Sequence, residues 1–459
     1  MLTTPESIRT LQRKLYRKAK QEPAYRFHAL YDKVYRADIL SHAYNLVRAN
    51  KGSAGIDGVT FEDIEAKEGV TVFVAELAEA LRNRKYEPNP VKRVMIPKSD
   101  GSQRSLGIPT IRDRVAQMAA KLGIEPIFEA DFCDTSYGFR PGRSAHDAID
   151  NVAQALNQGY NQVIDADLSK YFDTIPHAKL MIMVAERICD GAMLRLIQMW
   201  LKASVMEVDK DGTRRTIGGG KGNRKGTPQG GVISPLLSNL FLHLLDRIWE
   251  RRSLKRRIGA RIIRYADDIV VLCRKSSDPA MVVLRQVLER MGLRLNESKT
   301  RVVNACQGRF TFLGFEIRIA KSRRTGNHYP HVEPSKKSLK AIKDRITELT
   351  ARTRTVMPLY LLTNEVNKTV RGWVGYFHMR NCSTVLSDVR WHLEERFRTH
   401  LRKRHKIRDR ETGYVRFTNR SLYETYGLYK VPTTASWAKA HACGEEHRKA
   451  VCGKTARTV

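Results

Sequence analysis

The sequence predicts an α+β protein of more than one domain, and three observations carry that expectation. The chain has 459 residues, enough for about three domains of ordinary size. Two pairs of short apolar runs, each pair closed by a tight polar turn, read as β-hairpins. Longer stretches with apolar side chains at steps of three and four read as helices.

From Arg9 to Lys20, six of twelve residues are basic and none is acidic, with Leu11, Leu15 and Tyr16 at helical spacing. Such a stretch is either a solvated helix or an arm that meets phosphates through Arg13, Lys14, Arg17 and Lys18. Residues 50–60 hold Gly52, Gly55 and Gly58 and read as a loop. Apolar residues 91–97 and 106–108 flank Ser99-Asp100-Gly101-Ser102, which predicts a hairpin with Lys98 and Arg104 near its tip. Val115, Met118, Ala119 and Leu122 predict a helix over 113–128. Residues 161–166 read as a strand, and 261–264 with 269–272 as a second hairpin. Between Ser335 and Lys430 there are 22 Lys or Arg against 9 Asp or Glu, and Leu339, Ile342, Ile346 and Leu349 repeat at helical steps. That shift places a boundary near residue 330, with a basic helical domain beyond it. From about Val431 the chain is rich in small residues and is expected to be loosely held.

Composition narrows the function. Hydrophobic residues make up 42% of the chain, which excludes wholesale disorder. The 82 Lys and Arg against 48 Asp and Glu leave a net charge of +34. A surface that basic repels itself unless it meets a polyanion, and nucleic acid fits better than a membrane. The most apolar stretch, residues 232–245, is interrupted by Ser234, Pro235, Ser238, Asn239 and His243 and is shorter than the roughly 20 residues a span needs. The first residues lack the apolar run of a signal peptide, so an intracellular protein is expected. Cys133, Cys189, Cys273, Cys306, Cys382, Cys443 and Cys452 are odd in number and contain no C-x-x-C pair, so neither a disulfide framework nor a zinc ribbon follows. His441, Cys443, His447 and Cys452 fit no common zinc spacing.

The chemistry-bearing signal is Tyr265-Ala266-Asp267-Asp268, two carboxylates at or near the turn of the second hairpin. Adjacent carboxylates repel unless a cation shares them, and Mg²⁺ takes hard oxygen ligands. Upstream, a strand delivers Asp167 at its end, a third carboxylate of the kind a two-metal phosphoryl-transfer site needs. Asp165 lies on the same face by alternation, and pattern alone leaves the choice between the two open. Asp173, before Thr174-Ile175-Pro176, reads as a helix cap. Between these carboxylates lies Lys225-Gly226-Thr227-Pro228-Gln229-Gly230-Gly231, followed by a helical pattern. It is either a backbone that approaches a nucleotide, with Gln229 as a polar contact, or an ordinary loop before a core helix.

These three blocks in this order resemble the palm motifs of reverse transcriptases, and their wording is that of group II intron-encoded reverse transcriptase/maturases. Residues 50–60 look like that family's N-terminal extension loop. Val94-Met95-Ile96-Pro97-Lys98 with Arg104-Ser105-Leu106-Gly107-Ile108-Pro109-Thr110 looks like its fingers hairpin, and Tyr137-Gly138-Phe139-Arg140-Pro141-Gly142-Arg143-Ser144 matches the next block. Gly292-Leu293-Arg294-Leu295-Asn296-Glu297-Ser298-Lys299-Thr300 and Phe312-Leu313-Gly314-Phe315 match later palm motifs, and Arg371-Gly372-Trp373-Val374-Gly375-Tyr376-Phe377 is similar to the thumb or X domain. The likeness covers about residues 40 to 430.

The resemblance implies a right-hand polymerase of fingers, palm and helical thumb. It would divide into an N-terminal extension (1–90), fingers and palm (91–330), a thumb/maturase domain (331–430) and a short basic tail (431–459), expected to be mobile. It implies that Asp167, Asp267 and Asp268, with the carbonyl of Leu168, bind two Mg²⁺ ions, for which Mn²⁺ would substitute. Lys98 and Arg104 would clamp the triphosphate, Phe172 would exclude the 2′-hydroxyl, Gln229 would line the nucleotide pocket and Lys299 would protonate pyrophosphate. Arg13, Lys14, Arg17, Lys18, Arg143, Lys336, Lys337, Arg371, Arg402 and Arg404 would grip nucleic acid. The implied partners are intron RNA, a DNA primer or target and dNTPs, in the cytoplasm, bound to the nucleoid or a ribonucleoprotein. Two departures stand out: Ser105 replaces the family's usual proline, and the tail holds no recognisable HNH ligand set, so no DNA-cleaving domain is expected. The alternatives are a domesticated enzyme serving host defence or repair, and an RNA-binding maturase with little polymerase activity.

Overall fold

The computed structural model describes residues 2–67, 69–97, 101, 103–209, 211–228 and 230–435. Among them eleven strands follow in chain order: β1 Val91–Pro97, β2 Gln103–Ile108, β3 Gln162–Ala166, β4 Val205–Val208, β5 Arg214–Gly218, β6 Ala260–Tyr265, β7 Asp268–Cys273, β8 Arg301–Asn304, β9 Phe310–Phe312, β10 Phe315–Lys321 and β11 His328–Pro334. Two compact units result. The first comprises Met1–Ala148, Ala166–Val271 and Asp278–Thr300; the second comprises Ile149–Asp165, Leu272–Ser277 and the chain from Arg301 onward.

In the first unit, the basic N-terminal stretch is the helix Glu6–Gln21, which buries Ile8, Leu15 and Ala19 and packs on the helix Ile111–Glu129. The latter begins at Ile111 because Thr110 caps it, accepting a hydrogen bond from the Asp113 amide (3.2 Å). Asp113 in turn accepts from the Tyr86 hydroxyl (2.6 Å) and the Asn89 amide (3.0 Å), and burial pushes its carboxyl above the usual range. The predicted hairpin over 91–108 forms, with Arg104 opposite Ile96 and a second strand longer than expected. It sits in a four-stranded sheet of order β2-β1-β4-β5. β6 and β7 neighbour one another across a two-residue turn, Ala266-Asp267.

The apolar stretch that is too short to span a membrane is the helix Ser234–Arg251, with Pro235 in its first turn, and it is buried on nearly every side. Among the described residues no helix is long and apolar enough to cross a membrane.

In the second unit, β3 pairs antiparallel with β8, setting Asp165 opposite Arg301, and β9, β10 and β11 form a meander of order β11-β10-β9. The helical segment begins at Ser335, whose hydroxyl accepts from the Ser338 amide (3.2 Å). Helices Lys336–Leu349, Leu359–Phe377 and Ser383–Arg404 then enclose a core of its own, built on Ile342, Ile346, Leu362, Val366, Val370, Leu386, Leu393 and Phe397. Asp173 departs from expectation. It lies inside the short helix Tyr171–Thr174, and the next helix, His177–Ala185, has Pro176 at its N-cap, so Asp173 caps nothing. His441, Cys443, His447 and Cys452 lie outside the described residues.

Candidate active site

Two apolar strands separated by two residues force a tight reversal, and Ala266 makes it with φ at +56°. A left-handed alanine costs on the order of 1 kcal/mol or more, so something must hold the turn in place. Arg264, on β6, does this from below. Its guanidinium is fully buried, as is its partner Asp246 (both 0% exposed, 2.6 Å). A second nitrogen of the same guanidinium donates to the Ala266 carbonyl (2.9 Å) and to Asn239 Oδ1 (2.9 Å). Asn239 spends its amide nitrogen on the Gly138 carbonyl.

Gly138 belongs to the segment that runs beside β6, where the Tyr137 amide donates to the Arg264 carbonyl (2.8 Å) and the Arg264 amide to the Thr135 carbonyl (2.9 Å). A Cβ on Gly138 would lie 2.3 Å from the Ala266 amide nitrogen. Only glycine lets that segment lie against the turn. One ion pair, one amide and one missing side chain thus fix the backbone that presents Asp267 and Asp268. Asp267 is partly buried and Asp268 exposed.

Asp167 follows directly on β3. Its carbonyl accepts from the Asn296 amide (2.8 Å), its amide donates to Thr300 Oγ1 (3.4 Å), and the Ser169 amide donates to the Arg294 carbonyl (3.0 Å). These bonds flank an antiparallel bridge between Leu168 and Leu295, so the Leu168 carbonyl points away from residue 295. Four residues past Asp167, the buried Tyr171 hydroxyl donates to the Ser238 carbonyl (2.7 Å), on the helix that also carries Asn239 and Asp246. Burial pushes the Tyr171 phenol up, and the nearby charge of Asp267 adds to the shift. The Asp167 segment and the Asp267 turn are therefore both anchored on the helix Ser234–Arg251. Among the described residues no three or more His, Cys, Asp or Glu side chains are grouped so as to hold a metal ion. Mg²⁺ takes part of its shell from waters and substrate phosphates, so protein carboxylates need supply only some of its ligands.

Phe172 is buried, edge-on to Tyr171 at 5.5 Å, and its carbonyl accepts from the Thr227 amide (2.8 Å). Gly226, at φ +90°, donates to the Ile175 carbonyl (2.9 Å). The loop that follows lies against β2, since a Cβ on Gly230 would sit 2.3 Å from the Gly107 carbonyl oxygen. Gln117 Oε1 accepts from the Val232 amide (2.9 Å) and caps the entry to the helix. Lys98 and Gln229 lie outside the described residues, and Arg104 is placed by its strand alone. Lys299 is exposed in the turn after Asn296.

The basic residues divide. Lys14, Arg17, Lys336 and Lys337 are exposed. Arg13 pairs with Glu6 (3.0 Å), Lys18 with Glu22 (2.5 Å), and Arg143 with Asp134 (2.6 Å). Arg371 lies over the Tyr429 ring (5.1 Å), Arg404 donates to the Thr355 and Met357 carbonyls (2.7 and 2.6 Å), and Arg402 donates to the Arg408 carbonyl. Arg264, Asp246, Asn239, Gly138 and Gln117 were not foreseen as site residues. For all but Gly138 the signal was a charged or amide side chain inside an otherwise apolar run.

Residues 96–317 match the reverse transcriptase (RNA-dependent DNA polymerase) family, and residues 339–416 match the group II intron maturase-specific domain. Protein YkfC of Escherichia coli is 35% identical over 353 residues, covering 69% of this chain and 90% of that protein. The group II intron-encoded protein LtrA of Lactococcus lactis is 28% identical over 360 residues, covering 64% of this chain and 57% of LtrA. An uncharacterized 91 kDa protein in the cob intron of Schizosaccharomyces pombe is 26% identical over 356 residues, covering 65% and 42%.

Proposed function

Because the chain belongs to the reverse transcriptase family, whose members are RNA-directed DNA polymerases, and carries a group II intron maturase domain, we propose that it extends a primer 3′-hydroxyl with dNTPs on an RNA template and holds intron RNA in a splicing-competent fold. The observation that carries this reading is the two-carboxylate turn over the buried Arg264–Asp246 pair, anchored on the same helix as the Asp167 segment.

Asp167, Asp267 and Asp268 would hold two Mg²⁺ ions, with the Leu168 carbonyl as a further oxygen. When bound, such ions supply the charge that activates the primer hydroxyl and offsets the charge on the departing pyrophosphate. Asp167 is taken as the ligand rather than Asp165 because the family resemblance assigns that position. Lys98 and Arg104 would grip the triphosphate, Arg104 bidentately. Phe172, fastened through its carbonyl to Thr227, would set a rigid wall against a 2′-hydroxyl. Gln229 would contact the base or sugar, and Lys299 would pass a proton to pyrophosphate. The functional division is taken as 1–90, 91–330, 331–430 and 431–459, with RNA gripped by the basic helical part, in the cytoplasm and on the nucleoid or a ribonucleoprotein. Primer extension on RNA, with dNTPs or NTPs and Mg²⁺ or Mn²⁺, tests the reading. Incorporation of dNTPs over NTPs is expected, and a protein that binds RNA yet extends nothing would refute the polymerase half.

A further inference from the structure

We propose that the helical segment carries a subsite for one unpaired nucleotide of single-stranded RNA, built on the indole of Trp391. The proposal rests on the RNA-binding reading above and names where one base is held. The helix Ser383–Arg404 buries Leu386, Val389, Leu393, Phe397 and Leu401, yet Trp391, on the same helix, is 60% exposed. That ring lines a cleft of about 360 Å³ together with Glu395, Arg398, Arg402, Arg410 and Tyr414.

The cleft is cationic after its internal pairs are counted. Glu395 is its one carboxylate; it accepts from the Tyr414 hydroxyl (2.5 Å) and is shared by Arg398 and Arg410. Arg398 also lies over the Tyr414 ring at 4.4 Å, which fixes the floor. Arg396 and Arg402 add two charges that, among the described residues, meet neutral acceptors, Thr347 and Thr350 for the first and the Arg408 carbonyl for the second. Arg402 Nε is buried without a hydrogen-bond partner among the described residues. Four guanidiniums against one carboxylate leave excess positive charge beside a flat apolar ring.

A nucleotide has the matching pair of features, a π-face and a phosphate, and base–aromatic stacking is tolerant of sequence. A paired base inside a duplex offers no free face, so the subsite selects unpaired RNA. An acidic peptide would satisfy the arginines but leave the indole in water. The excess of 22 basic over 9 acidic residues between Ser335 and Lys430 also favours a continuous polyanion.

The test uses the full chain, a single-stranded RNA oligomer and a blunt RNA duplex. Titration with the oligomer is expected to quench tryptophan fluorescence in wild type and to leave W391F unquenched while that variant keeps most of its affinity. W391A is expected to lose about 5- to 100-fold on single-stranded RNA and less than about twofold on duplex, with an unchanged melting profile. R402Q is expected to lower the salt slope on the oligomer. Equal losses of W391A on both RNAs, or affinity like wild type on both, would overturn the subsite; the second result would turn the cleft over to a protein partner. Wild type that binds neither RNA would instead defeat the RNA-binding reading itself.

Discussion

The acidic turn of the first unit and the helical segment of the second both depend on arginine, and they use it in opposite ways. Arg264 is sealed from water and spends its donors on Asp246, Asn239 and the Ala266 carbonyl. In the helical segment, Arg404 and Arg371 are partly spent on carbonyls and a ring, while Lys336 and Lys337 stay exposed. A net charge of +34 therefore overstates the charge available to a polyanion. Where a guanidinium sits decides whether it holds the fold or meets a ligand, and the count alone does not distinguish the two.

Substitution of the turn itself should break the comparison most sharply. Asp267→Ala with Asp268→Ala is expected to cost at least about a thousandfold in dNTP incorporation, with RNA affinity by filter binding changed less than about twofold. Parallel loss of both would mean that the turn is structural. Next in size, Asp246→Ala strands a buried guanidinium and is expected to cost about 3–5 kcal/mol in urea unfolding. A change below about 1 kcal/mol would show that Arg264 finds water.

His243 tests burial from a different side. Burial of its imidazole lowers its pKa to about 4, from an ordinary 6.5. It is neutral in the folded chain, whereas the unfolded chain takes up a proton as pH drops below 6.5. Stability contributed by the neutral form is therefore present above pH 6.5 and lost as pH falls toward 4, by up to about 3 kcal/mol. H243Q should flatten that slope, and an unchanged slope would assign the acid sensitivity to other groups. Gly138→Ala, whose new Cβ meets the Ala266 amide at 2.3 Å, is expected to lower kcat about 10- to 100-fold while costing about 1–3 kcal/mol of stability. Smallest of all, K336Q with K337Q should weaken RNA binding a few-fold across sequences and reduce the salt slope by about two. A loss confined to one RNA sequence would contradict a phosphate role.

The hairpins were readable because alternating apolar runs and a two-residue gap leave little else for the backbone to do. The helix over 111–129 was readable from its repeat, and its start was missed because Thr110 acts through a cap rather than through periodicity. The support beneath the turn was not readable. Asn239 and His243 were noticed in the sequence only as breaks in an apolar run, and Arg264 only as part of a strand, because each finds its partner 18 to 110 residues away. A short-range pattern holds no record of such pairings. Asp173 failed for the opposite reason: a local cap rule was applied where the chain had already closed a one-turn helix.

The helical segment has its own apolar core, closed among Ile346, Val370, Leu393 and Phe397, whereas the acidic turn rests on a buried ion pair and the Asn239 amide in the other unit. Heating should therefore silence nucleotide addition at the temperature where that other unit melts, in one step and without a half-active form. Affinity for RNA should persist to whatever temperature the helices themselves withstand.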